Sequence, residues 1–81
     1  MNDSSAGRAA RKIATVEDLG KAVLQERKAQ GLTQADIAGL AHTGVRFVVD
    51  LEKGKPTIQM CKALEVLELL GLELAVHKKG S

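Results

Sequence analysis

A chain of 81 residues holds one small domain, and a core of that size is marginal unless a partner braces it. Hydrophobic residues make up 44% of it and Phe47 is the only aromatic, which favours a compact helical domain packed with Leu, Val and Ala. A net charge of +2, one cysteine and no apolar run of membrane length exclude a histone-like polycation, an internal disulfide and a membrane span, and a cytoplasmic protein is expected.

Residues 1–12, MNDSSAGRAARK, carry Ser, Gly, Ala and charge without a buried face, and are expected to form a flexible arm. No apolar segment follows their basic residues, so they do not read as a secretory signal. Arg8, Arg11 and Lys12 suit either a solubilising tail or an arm that touches DNA phosphates or a minor groove.

The main domain is expected over residues 13–71. Thr15 with Asp18 resembles a capping box and opens a first helix, whose inner stripe is Leu19, Val23 and Arg27 with Leu24 beside it. Gly31 ends that helix in the left-handed conformation. Thr33 and Asp36 repeat the box and open a second helix, with Ile37, Ala38 and Ala41 inside. His42-Thr43-Gly44 makes a short turn, and a third helix follows from about Val45 to Lys53. Val48 and Leu51 point inward from it, while Arg46, Val49 and Asp50 project from the opposite face. Gly54 and Pro56 stop it. Thr57 is expected to cap a fourth helix over about Ile58 to Leu70, with Met60, Leu64 and Leu67 as one apolar row that Cys61 and Val66 to Leu70 widen, and Gly71 closes it.

After Gly71 the period changes. Leu72, Leu74 and Val76 alternate with Glu73, Ala75 and His77, which is a strand signal over the 72–81 tail. The chain offers this strand no second strand, so its natural partner is the same strand of another copy. The expected architecture is all-α, with four or five short helices and a C-terminal β-strand that pairs across a dimer.

The stretch from Thr33 to Gly54, TQADIAGLAHTGVRFVVDLEKG, thus reads as a helix-turn-helix, a unit that sets its second helix in the DNA major groove. It resembles the XRE/Cro-type helix-turn-helix of phage repressors, a lambda-repressor-like fold. The closer likeness, carried by GLTQADIAGLA, RFVVDLEKGKPT and LEVLELLGLELAV, is to HipB-type antitoxins, the DNA-binding partners of HipA-like kinase toxins.

The resemblance implies a sequence-specific repressor that binds double-stranded DNA at a near-palindromic operator as a homodimer. It also implies that the protein restrains a kinase toxin and regulates its own operon. A stand-alone XRE-type regulator and a protein-interaction module on the same scaffold are the alternatives. By position, the resemblance assigns Gln34 to a phosphate and to bracing of the reading helix. Base edges fall to Gly44, Val45 and Arg46, and the groove one turn later to Val49 and Asp50. Arg27 and Glu52 occupy the places of a buried ion pair. The family's turn glycine is His42 here, so His42 is expected to be left-handed, at about 1 kcal/mol relative to glycine.

Chemistry sharpens several of these positions. Arg46 can bond guanine O6 and N7 bidentately, or pair with Asp50 at i,i+4. Val45 and Val49 suit thymine methyls or the core. Lys53 and Lys55 suit phosphates or the helix dipole, and Thr43 with Gly44 offers a hydroxyl and an N–H to phosphate. Cys61 reads as a buried small hydrophobe. His42, Cys61 and His77 lack zinc-ligand spacing, so no metal or cofactor is expected. No nucleophile and base converge, so no catalysis is expected either.

Overall fold

A computed structural model describes residues 11–79 of the chain. Among the described residues four helices follow in order: α1 (Val16–Ala29), α2 (Gln34–Leu40), α3 (Val45–Lys53) and α4 (Met60–Leu69). Most of the expected arm, including Arg8, lies outside the described residues.

The first two helices begin in reciprocal capping boxes. The Thr15 hydroxyl accepts from the Asp18 N–H at 3.0 Å, and the Asp18 carboxylate accepts from the backbone of Thr15 at 3.1 Å and of Ala14 at 2.9 Å. Thr33 and Asp36 repeat this at 3.0 and 2.9 Å. Each box satisfies donors that a helix start leaves without an intrahelical acceptor.

All four helices end in one hydrogen-bond pattern, the paired six-to-one and five-to-two bonds of a Schellman motif. On α3 the bonds run from Lys55 N to Asp50 O and from Gly54 N to Leu51 O, both 3.0 Å. Glycine holds the left-handed position after α1, α3 and α4; after α2 it is His42, at φ 56°. There Thr43 N bonds Ala38 O at 2.9 Å, and His42 N bonds Gly39 O at 3.4 Å. The turn between the two helices is therefore the C-terminal cap of α2 followed directly by Gly44, the N-cap of α3.

The core takes Leu19 and Val23 from α1, Ile37 and Ala38 from α2, and Val48 and Leu51 from α3. From α4 and its C-cap come Ala63, Val66, Leu67 and Leu70. Ile13, Leu32, Ala41, Phe47, Ile58 and Leu72 pack around it. The α1–α3, α2–α3 and α2–α4 pairs are in contact, so α3 is held by the two helices before it.

Three details of α4 differ from expectation. It starts at Met60 with Gln59 as its N-cap and no side-chain cap. Thr57 cannot serve there, because it lies inside a turn closed by Ile58 N on Lys55 O at 3.2 Å. The buried row is Ala63, Val66, Leu67 and Leu70, leaving Met60 48% and Leu64 43% exposed. Cys61 is exposed, not buried, since it lies off that row.

Among the described residues no helix follows Gly71 and there is no strand. A strand needs a ladder partner, and the described residues supply none. Leu72 lies partly buried against the core, while Val76 is 98% exposed. Among the described residues no helix is long and apolar enough to cross a membrane.

Candidate nucleic-acid interface

The position of α3 is set by a buried carboxylate. Glu52 accepts from Arg27 Nε at 2.6 Å and Arg27 Nη2 at 3.1 Å, and also from Gln34 Nε2 at 2.9 Å. Arg27 Nη1 donates to the Leu32 carbonyl at 2.8 Å, in the α1–α2 connection. One acidic side chain thus ties α1, α2 and α3 together. The hydrogen bonds to Glu52 raise the Arg27 pKa above its ordinary value, against the opposing effect of burial.

Two glycines let α1 and α3 meet backbone to backbone. A Cβ on Gly20 would come within 2.5 Å of the carbonyl oxygens of both Leu51 and Glu52. A Cβ on Gly54, already at φ +75°, would come within 2.5 Å of Glu17 Cα. The C-terminal half of α3 is therefore clamped on α1, and its first turn is left open.

That first turn carries the proposed reading residues. Gly44, Val45 and Arg46 are exposed, the Arg46 side chain to 85%. The first N–H groups of α3 have no intrahelical acceptor and give that end a partial positive charge. Val49 and Asp50 are partly buried one turn later. Asp50 lies between two cations, with Oδ1 3.5 Å from Arg46 Nε and Oδ2 3.6 Å from Lys55 Nζ. Lys53 is exposed beside them. Behind the helix Phe47 packs on the core, and Lys62 Nζ of α4 sits 5.8 Å from its ring centroid.

The structure separates several residues that sequence had grouped. Gln34 gives one N–H of its amide to Glu52, which is the bracing part of its expected role. The Thr43 hydroxyl is not presented to solvent: its Oγ1 is buried, with no hydrogen-bond partner among the described residues. Its N–H is taken by Ala38, as the α2 cap requires. Arg11 donates to Gln25 Oε1 of α1 at 2.6 Å. Leu72, Leu74 and Val76 lie in the tail beyond Gly71 and take no part in this surface. Gly20 went unnoticed in the sequence, although a glycine inside a helix is a standing signal of close packing.

No family model matches the chain. The uncharacterized HTH-type transcriptional regulator y4mF of Sinorhizobium fredii (strain NBRC 101917 / NGR234) is 46% identical over 71 residues, covering 88% of this chain and 93% of that protein. Among solved structures, a complex of a HipB variant with an O2 20mer superposes with a TM-score of 0.80 at 20% identity, over 88% of this chain and 99% of that one. The HipB–O4 20mer complex gives 0.79 at 18% identity, over 86% and 99%. At those identities the structures establish a shared fold. The extent and identity of the match to y4mF go further, and the chain belongs to the helix-turn-helix-type transcriptional regulators.

Proposed function

We propose that this protein is a sequence-specific DNA-binding repressor that works as a homodimer on a near-palindromic operator. The observation that carries this reading is the asymmetry of α3: its second half is locked on α1 by Gly20, Glu52 and Gly54, and its first turn projects Arg46 into solvent. Arg46 reads a base edge, Val45 and Val49 meet thymine methyls, and Lys53, Lys55 and the Gly44 N–H hold phosphates. In a two-fold dimer the reading helices enter successive major grooves about 34 Å apart.

The dimer interface is the tail. Ile13, Leu19, Ala22, Leu67, Leu72, Leu74 and Val76 line a groove of about 1210 Å³ between residues 11–13, α1 and the tail. A second copy's tail would supply the missing ladder and cover Val76. The domain division proposed is therefore 13–71 for DNA and 72–81 for pairing, with 1–12 as an arm.

The likeness to HipB supports a further assignment, that the protein is the antitoxin of a HipA-like kinase toxin, neutralises it and represses their common operon. Co-purification with the product of the adjacent gene, followed by footprinting on the shared upstream DNA, tests both parts. A footprint without a co-purifying protein leaves a stand-alone regulator. A bound protein without a footprint favours an interaction module, a reading that the 56% exposure of Leu40 on α2 supports.

A further inference from the structure

Asp50 is an unexpected residue on a surface meant for a polyanion, and its surroundings give it a use. Its side chain is only 20% exposed and each of its oxygens faces a different cation. Lys55 is brought there by the backbone: its own N–H bonds the Asp50 carbonyl at 3.0 Å in the α3 cap, and Gly54 turns the chain back. Arg46 reaches Asp50 from one turn earlier and does so through Nε. A guanidinium has five donors in a fixed plane, and the Nε edge is separate from the edge that carries both terminal nitrogens.

We infer that Asp50 is a specificity-determining positioning residue. It holds Arg46 by Nε so that the Nη pair faces guanine O6 and N7, and it offsets part of the Lys55 charge, so that Lys55 holds a backbone phosphate less tightly than an unpaired lysine would. The inference rests on the DNA-reading role proposed for α3. Phosphate attraction is independent of sequence, whereas bidentate bonding to guanine is not. A carboxylate that restrains the first and aligns the second raises discrimination at the expense of raw affinity.

The test uses the full-length protein, a duplex selected by the wild type from a random pool, and a shuffled duplex of the same composition. Dissociation constants are measured across a salt series for wild type, Asp50→Asn, Asp50→Ala and the same changes in an Arg46→Ala background, with folding checked by circular dichroism. Asp50→Asn should tighten binding to the shuffled duplex several-fold, steepen the log–log salt slope by about one, and reduce the selected-to-shuffled ratio by about tenfold. In the Arg46→Ala background the same change should leave the ratio unaltered, because the residue acts through Arg46. A merely structural role would weaken both duplexes alike and overturns the inference, as does a ratio that survives in both Asp50 variants. A wild type that selects no duplex overturns the DNA-reading role itself, and so is distinguished from failure of the Asp50 inference alone.

Discussion

Arg27 Nε and Gln34 Nε2 converge on the two oxygens of Glu52, at 2.6 and 2.9 Å, although the three residues belong to three different helices. Arg27 and Glu52 are 8% and 9% exposed, so the pair is removed from water and each charge depends on the other. Burial of an ion pair contributes little net stability, but loss of one partner strands a charge.

Arg27→Ala or Glu52→Ala should therefore destabilise the domain by about 3–5 kcal/mol, much of the stability of a domain this small. Replacing both together with Met and Leu should be far less damaging. Urea unfolding of the two single variants and the double variant measures this, and additive losses would show that the two charges do not depend on each other.

The helix contacts make opposite predictions for two glycines. Gly20→Ala should cost roughly 1–3 kcal/mol, because its Cβ would meet two backbone carbonyls that cannot swing aside. Gly39→Ala, with nothing within 4 Å of its Cβ, should stabilise α2 by up to about 1 kcal/mol. Thermal melts of the pair read the difference in sign.

His42 stands in the left-handed position that glycine holds after the other three helices. His42→Gly should raise the melting temperature modestly, by about 0.5–1 kcal/mol of stability, and the β-branched His42→Val should lower it. Equal melting temperatures for all three proteins would mean that this φ carries no strain.

The capping carboxylates set an acid limit. Asp18 is held below its ordinary value of 3.8 chiefly by the Ala14 N–H, with partial desolvation opposing and Thr15 assisting; Asp36 is held below it chiefly by the Thr33 N–H. In each case the unfolded chain binds the proton more readily. The stability they contribute is thus complete above the ordinary carboxylate range and is lost as pH falls through the lowered folded values. Asp18→Asn and Asp36→Asn should flatten the acid limb of stability against pH, while an unchanged limb would assign it to other groups.

Features with a local cause were legible in the sequence. Each Thr-x-x-Asp box announces a helix start, and Gly31, Gly54 and Gly71 announce three of the stops, because caps involve neighbours along the chain. The limits of α3 follow from Gly44 and Gly54 for the same reason. What escaped depends on distant partners. A Leu-rich α4 has apolar residues on several sides, and only packing added Ala63 to the expected Val66, Leu67 and Leu70 and left Met60 and Leu64 exposed. Thr57 resembles a cap until the Lys55–Ile58 turn is seen to enclose it. The role of Gly20 is visible only once the carbonyls of Leu51 and Glu52 lie over it. Within the candidate site, the exposure of Arg46 follows from helical period, whereas the occlusion of the Thr43 hydroxyl required the α2 cap in three dimensions.

The central claim is that the open first turn of α3 reads DNA through Arg46. Competition binding of wild type and Arg46→Ala, on a wild-type-selected duplex against a shuffled one, tests it most directly. The account predicts a stably folded variant that loses about 1–3 kcal/mol of preference for the selected duplex. An Arg46→Ala protein with unchanged affinity and unchanged preference would contradict it.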